Sequence, residues 1–145
     1  MMNRLLFPFL AFTASALAQG NPDWHREFPA FKIAGNLYYV GTADLAVYLV
    51  NTPQGNILIN TDYEQDVPLI RKSIEQLGFK YQDTKIILIS HAHGDHDAAT
   101  GVVKKETGAK LMVIKGMGHA LPIPMWPQII DAIDKHAHGA AAKAA

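Results

Sequence analysis

The chain lacks cysteine altogether, although it is 145 residues long. Disulfide bonds and thiolate ligands are therefore excluded, and any bound metal ion must be held by nitrogen and oxygen atoms. The chain also lacks an excess of charge, because its 13 basic residues balance its 13 acidic residues. With no basic run or patch, nucleic acid is not predicted as a partner. The length corresponds to one domain at most.

Serine is scarce as well, and this limits the reactions that the chain could catalyse. The serines are Ser15, Ser73 and Ser90, and none lies in a Gly-x-Ser-x-Gly sequence. A histidine without a serine in such a strand-to-helix turn does not form a catalytic triad. We therefore exclude a serine hydrolase.

The N-terminus has the pattern of a secretory signal peptide. Arg4 supplies positive charge, residues 5–17 are mostly apolar, and Ala16-Leu17-Ala18 provides a small-x-small cleavage site. The apolar stretch is short for a membrane span, and a retained membrane anchor is the alternative. We predict a signal peptide over residues 1–18 and a secreted protein, periplasmic in a Gram-negative source, with no membrane attachment after cleavage.

The most informative stretch follows an apolar run at residues 86–89 and contains His91, His93, Asp95 and His96. Side chains two apart in an extended segment point to the same side, so His91 and His93 can bind one ion. Gly94 lets the backbone turn, which directs Asp95 and His96 to a second point nearby. If these side chains were buried as structural residues without hydrogen-bond partners, each would destabilise the fold by about 1–3 kcal/mol. Imidazole and carboxylate ligands suit zinc, and two close metal ions can activate a water molecule for hydrolysis.

The rest of the pattern predicts an α/β fold, with a mixed β-sheet and flanking helices. Runs rich in Val, Ile, Leu and Tyr predict strands at residues 31–34, 37–40, 45–50 and 56–60. Helical spacing then predicts a helix that begins after Asp66 as N-cap and ends at Gly78, and a second helix at about 98–106. Apolar runs predict strands at 85–90 and 110–114. A last helix opens near residue 125, with a predicted buried stripe of Trp126, Ile129, Ile130, Ile133 and Ala137.

The sequence His-x-His-x-Asp-His after a hydrophobic strand is the signature of the metallo-β-lactamase superfamily. The flanking segments resemble the third subclass of class B β-lactamases, which are secreted dizinc enzymes. These segments are residues 33–42, 57–61, 77–80 and 107–110. The resemblance extends from about Trp24 to about Val113. It implies the N-terminal half of an αββα sandwich, truncated before its second half.

The resemblance also implies roles for the four motif residues. In the family, one zinc ion has three histidine ligands, and the other has an aspartate and two histidines. His91 and His93 match ligands of the first site, and Asp95 and His96 match ligands of the second. Asp95 is in addition the predicted catalytic residue. The remaining histidines lie further downstream in the family, so one or two zinc ions would be held with an incomplete ligand set.

Further residues are candidates for supporting roles. His119, His136 and His138 would be the missing ligands or else solvated residues of the tail. Asp62, at the end of a strand, would hydrogen-bond the ligand loop or serve only in a turn.

From Lys115 onward the resemblance changes. Residues 115–145 look like the final strand, histidine loop and last helix of an α/β-hydrolase, with Gly116-Met117-Gly118-His119 as the histidine loop. We therefore divide the chain into a signal peptide at 1–18, a partial metallo-β-lactamase domain at 19–114 and a divergent tail at 115–145. The absent second half would leave an apolar sheet face uncovered, which predicts self-association unless the last helix covers it.

The implied function is zinc-dependent hydrolysis of a small-molecule β-lactam by a zinc-bound hydroxide. The incomplete ligand set leaves catalysis open. Two alternatives stand beside it. One is a zinc-binding fragment without turnover, and the other is a metallo-hydrolase of a different ester, thioester or lactone.

Overall fold

The computed structural model describes residues 21–112, 114–115 and 121–138. Within these residues six strands form one mixed sheet in the order β1-β2-β3-β4-β5-β6. Neighbours from β1 to β4 are antiparallel, and β5 is parallel to both β4 and β6. The strands are Phe31–Ala34 (β1), Leu37–Tyr39 (β2), Tyr48–Val50 (β3), Asn56–Ile59 (β4), Thr84–Leu88 (β5) and Lys110–Leu111 (β6). The α-helices are Val67–Gln76 (α1), Gly94–Asp97 (α2), Thr100–Thr107 (α3) and Trp126–His138 (α4).

One face of the sheet carries the buried core. Leu49, Leu58 and Ile87 are register neighbours on β3, β4 and β5, and each is at most 1% exposed. Burial of such a side chain contributes about 1.5–3 kcal/mol. The helices α1 and α3 cover this face with the apolar side chains of Val67, Ile70, Ile74 and Val103.

The described residues cover the opposite face of the sheet only in part. Tyr48 and Ile59 are register neighbours on it and are half-buried. Helix α4 approaches this face through Ile129 and Ile133, which together with Ile59 line a cavity of about 450 Å³. At the free edge, Phe31 of β1 is 45% exposed. The last helix therefore covers the β4–β5 part of the face and leaves its β1 edge open.

The predicted α/β fold is confirmed, and the differences lie at the ends of elements. Strand β5 ends at Leu88, two residues before its predicted end, because the Ser90 amide hydrogen-bonds to the side chain of Asn60 rather than to a neighbouring strand. Strand β6 covers only two residues. The short helix α2 was not predicted.

Asp66 occupies the N-cap position of α1 as predicted, but its side chain makes no cap hydrogen bond, because its carboxylate binds the imidazole of His25. One side-chain prediction is wrong. In α4, Trp126 and Ile130 are 48% and 59% exposed rather than buried. The contact of α4 with the sheet is narrow and follows the line from Ile129 to Ile133, so Trp126 and Ile130 face solvent.

The predicted signal peptide and the predicted histidine loop at His119 lie outside the described residues, and both stay predictions. None of the described helices is long and apolar enough to cross a lipid bilayer.

Candidate metal centre

The loop after β5 carries the four residues predicted to bind metal. Strand β5 lies between two parallel neighbours, and its loop leaves at the carboxyl end, where open α/β sheets bind their ligands. His93 is extended, with φ −119° and ψ 148°, and directly precedes α2. Its carbonyl oxygen accepts hydrogen bonds from the amides of His96 and Asp97. The backbone thus changes from extended to helical at Gly94.

Three of the four predicted ligands converge. His91, Asp95 and His96 each present a donor atom, and these atoms lie within 4.8 Å of one another. The ring centroids of His91 and His96 are 3.9 Å apart, and Nε2 of His96 is 3.4 Å from a carboxylate oxygen of Asp95. All three side chains are half-buried. The group draws one residue from the first predicted pair and both residues from the second.

His93 lies beside this group and not within it. Its ring is edge-on to that of His91, with the centroids 4.8 Å apart. The side chain of His93 is exposed, so it borders the group on the solvent side. That His91 and His93 share one ion stays a prediction.

The donor atoms of the group suit a zinc ion. Imidazole nitrogen and carboxylate oxygen are zinc ligands, and three protein ligands leave a fourth position for water or substrate. Ligand atoms about 2 Å from zinc stand about 3–4 Å apart, so small side-chain rotations would bring these three into place. Nδ1 of His96 is buried and has no hydrogen-bond partner among the described residues. No hydrogen bond among the described residues therefore competes for this ring nitrogen.

A buried turn at the end of β4 holds the ligand loop. Asn60 and Asp62 have φ values of 66° and 53°, in the left-handed region that asparagine and aspartate tolerate best among non-glycine residues. The amide of Thr61 donates to the carbonyl oxygen of His96 at 2.8 Å, and the amide of Ala99 donates to that of Asp62 at 2.9 Å. Asn60 and Thr61 were not predicted to support the site, although both lie at a strand end and within the family-like segment 57–61.

The carboxylate of Asp62 does not make the predicted hydrogen bond to the ligand loop. Its side chain is fully buried, and neither carboxylate oxygen has a hydrogen-bond partner among the described residues. The left-handed backbone presents the carbonyl of Asp62, rather than its side chain, to the loop at Ala99. Burial, and to a lesser extent the nearby carboxylates of Asp66 and Asp95, raise the pKa of Asp62 to about 7.

An aromatic group lies beside α2 and was also missed. The ring of Tyr63 stacks on Trp24 with the centroids 6.1 Å apart, and His25 packs edge-on against it at 5.6 Å. A Cβ atom at Gly94 would lie 3.5 Å from the Tyr63 ring, so the ring borders the start of α2. Tyr63, His25 and Ala98 line a shallow cavity of about 570 Å³. The N-terminal segment thereby forms a wall next to the ligand loop.

The histidines of the tail do not join the group. Nε2 of His136 is 3.4 Å from the carbonyl oxygen of Gly55, at the far end of the sheet. His138 is exposed and pairs with Asp134 at 2.8 Å. His119, the third candidate for a missing ligand, lies outside the described residues.

The fold and the donor set define an α/β protein with a candidate divalent-metal centre at the end of its parallel strands. Residues 45–128 match the family model of the metallo-beta-lactamase superfamily. The chain therefore belongs to this superfamily. The match continues beyond Val113, where the motif resemblance ended, so the proposed boundary at residue 114 stays a prediction.

Solved structures identify the subclass of the relatives. Native FEZ-1 metallo-beta-lactamase from Legionella gormanii is 62% identical, with a TM-score of 0.61, over 62% of this chain and 34% of that one. LRA-12, a class B3 di-zinc metallo-beta-lactamase from an Alaskan soil metagenome, is 51% identical, with a TM-score of 0.65, over 68% of this chain and 37% of that one. GOB-18 from Elizabethkingia meningoseptica is 49% identical, with a TM-score of 0.65, over 67% of this chain and 36% of that one. The predicted resemblance to the third subclass is confirmed, and the chain spans little more than a third of these structures.

Proposed function

We propose that the chain is a zinc-dependent hydrolase that opens the β-lactam ring. The observation that carries this proposal is the convergence of His91, Asp95 and His96 within 4.8 Å. It occurs in a chain that is 62% identical, over the matched part, to the FEZ-1 metallo-beta-lactamase from Legionella gormanii. Imidazole and carboxylate donors around an open position are the arrangement that metal-assisted hydrolysis requires.

The residues of the loop have distinct proposed roles. His91, Asp95 and His96 would hold the first zinc ion, and His93 would extend the set, since its ring lies 4.8 Å from that of His91. Zinc bound here would polarise the substrate carbonyl and lower the pKa of water. Asp95 is the proposed catalytic residue, because its carboxylate can orient the attacking water and accept its proton.

The test of this proposal is chelator-sensitive hydrolysis. The purified chain, supplied with zinc, is assayed at high protein concentration with a chromogenic cephalosporin, with and without a chelator. We expect slow hydrolysis that the chelator abolishes and that Asp95→Ala lowers by at least about 100-fold. His138→Ala is the matched histidine control and should leave the rate unchanged, because His138 contacts Asp134 and not the ligand loop. No chelator-sensitive hydrolysis at any concentration would refute catalysis by this chain.

A second candidate function is zinc binding without turnover. Two observations favour it. Among the described residues a single group of three potential ligands converges, and the chain spans about a third of the structures that it matches. Where a zinc ion has fewer protein ligands, water fills the remaining positions and the affinity for the ion is lower. Stoichiometric zinc binding in equilibrium dialysis, together with no hydrolysis of cephalosporin, thioester or lactone, would support this candidate. Faster hydrolysis of a thioester or lactone would instead reassign the substrate.

The proposed location is the periplasm or the outside of the cell. The pattern of residues 1–18 supports it, with a positive start, an apolar stretch and a small-x-small site. Expression in a Gram-negative host followed by fractionation tests the location, and mass spectrometry of the mature N-terminus tests cleavage after Ala18. Retention of the uncleaved chain in the membrane fraction would refute the signal-peptide assignment.

A further inference from the structure

Asn60 lies where the end of β4 meets the segment before β3 and the loop after β5. It follows the last residue of β4, is 3% exposed and has a left-handed backbone with φ 66°. Both ends of its side-chain amide are engaged. The Nδ2 group donates to the carbonyl oxygen of Ala46 at 3.1 Å, and Oδ1 accepts from the amide of Ser90 at 3.0 Å.

These two side-chain bonds connect the segment before β3 to the residue that precedes His91. The backbone amide of Asn60 adds a third bond, since it donates to the carbonyl oxygen of Leu88 at 2.8 Å. The end of β5, at Leu88, and the start of the ligand loop, at Ser90, are therefore both held by one residue. The bond to Ser90 lies immediately before His91, the first candidate ligand.

The next residue fixes the other part of the ligand loop. The amide and hydroxyl groups of Thr61 both donate to the carbonyl oxygen of His96, at 2.8 Å and 3.3 Å. Ser90 and His96 thus hydrogen-bond to consecutive residues of one buried turn. The distance between the start of the loop and α2 depends on that turn, whose conformation depends on the left-handed backbone and double hydrogen bonding of Asn60.

We propose that Asn60 is a positioning residue that sets the spacing between His91 and the pair Asp95 and His96 before a metal ion arrives. Asparagine is suited to this position because it tolerates a left-handed backbone and carries both a donor and an acceptor. The inference rests on the proposed zinc function. It extends that function by assigning the preorganisation of the site to a residue that would not touch the ion.

The test compares Asn60→Gly with Asn56→Ala. Glycine removes the side chain of residue 60 without a penalty for positive φ. Asn56 is a matched control, because it is a buried asparagine at the opposite end of the same strand, with bonds to Asn51 and Lys80 and none to the ligand loop. Zinc affinity is measured by competition with a chelator, and global stability by urea denaturation.

We expect Asn60→Gly to weaken zinc binding by about 10–100-fold, the range typical of residues that support metal ligands. Asn56→Ala should lower stability and leave zinc affinity within about threefold. Asn60→Asp retains the acceptor for Ser90 but loses the donor to Ala46, so its zinc affinity should fall between those of Asn60→Gly and the wild-type chain. Equal zinc affinities in Asn60→Gly and Asn56→Ala would overturn the role of Asn60 and leave the proposed zinc function intact.

A second measurement separates the two proposals without metal. Hydrogen exchange of the Ser90 and His96 amides is followed in metal-free protein and compared with exchange in the core strands. Loss of protection at these amides in Asn60→Gly alone supports the positioning role even if the wild-type chain binds no zinc. Equal protection in wild type and Asn60→Gly would overturn it. Failure of the wild-type chain to bind zinc, by contrast, refutes only the zinc function.

Discussion

Nδ1 of His25 lies 3.0 Å from both carboxylate oxygens of Asp66, whose side chain is 1% exposed. This pair joins the segment before β1 to the N-cap residue of α1 and takes the place of a side-chain cap hydrogen bond. The same N-terminal segment places Trp24 and His25 against Tyr63, beside the ligand loop. A contact that stabilises the fold therefore also shapes the border of the candidate site.

The first prediction concerns this pair. His25→Ala should lower the free energy of unfolding by about 1–3 kcal/mol, because it leaves a buried carboxylate without its partner. Urea denaturation of the metal-free chain measures the loss. Asp66→Asn is the second single variant, and the double variant completes the cycle. A coupling energy near zero would mean that the contact contributes nothing to stability.

The second prediction concerns the pH dependence that Asp62 introduces. The pKa of Asp62 is raised from 3.8 to about 7 in the folded chain. Its charged form is therefore disfavoured by folding, and the penalty is absent below the unfolded pKa. It grows as the pH rises from about 4 and is complete above about 7. Between pH 5 and pH 8, the metal-free chain should lose about 2–3 kcal/mol of stability through this group.

Asp62→Asn isolates that contribution, since asparagine does not titrate. The difference in unfolding free energy between variant and wild type should increase with pH from 5 to 8, as measured by urea denaturation in the presence of a chelator. Asp83→Asn is a control, because Asp83 is exposed and distant from the turn. A constant difference across this pH range for Asp62→Asn would contradict the raised pKa.

The sequence was sufficient for the fold and for the position of the site, for physical reasons. The apolar periodicity and the turn residues that define β1, β2, β4 and α1 are properties of the local sequence. These elements were therefore predicted nearly to the residue. The ligand motif was found because four metal-binding side chains in six positions are hard to explain by packing. The conformations of Asn60 and Asp62 could not be predicted. Their positive φ values depend on hydrogen bonds to Ala46, Ser90 and Ala99, which only the folded chain brings near.

The grouping of ligands shows the same limit. The pairing of His91 with His93, expected of an extended segment, stays a prediction. The approach of His96 to His91 was not expected, because it depends on the short helix α2. That helix is held by the bond from Thr61 to His96, a contact between residues far apart in the sequence. The exposure of Trp126 and Ile130 on α4 could not be predicted for a similar reason. Helical spacing identifies an apolar stripe, but it does not show how much of that stripe the sheet covers.

The third prediction is that zinc stabilises the chain through the candidate centre. A ligand that binds only the folded state, at 100 times its dissociation constant, adds about 2.7 kcal/mol. Zinc should therefore raise the melting temperature of the wild-type chain, and a chelator should reverse the change. His96→Ala should abolish the shift because it removes a ligand of the converging group.

His138→Ala serves as the control for that measurement and should keep the full shift. Its histidine is exposed and paired with Asp134, on a helix away from the loop. If His96→Ala and wild type respond equally to zinc, the ion binds elsewhere and the candidate centre is wrong.

The fourth prediction is self-association through the β1 edge of the sheet. Phe28, Phe31 and Ile33 are 38%, 45% and 43% exposed, and all four residues of β1 are exposed. Among the described residues β1 is an edge strand, and an edge strand with apolar side chains favours pairing with a second copy. Sedimentation velocity over about a hundredfold range of concentration should show a dimer that increases with concentration.

Phe31→Lys should shift this equilibrium toward the monomer by at least about tenfold, because it places a charge in the apolar patch. Lys32→Ala is the control on the same strand. Its side chain points to the opposite face, where it approaches the ring of Tyr38, so its removal should not weaken association. A wild-type chain that remains monomeric throughout, or a Phe31→Lys variant that associates as strongly as wild type, would show that the partly uncovered face does not bring two copies together.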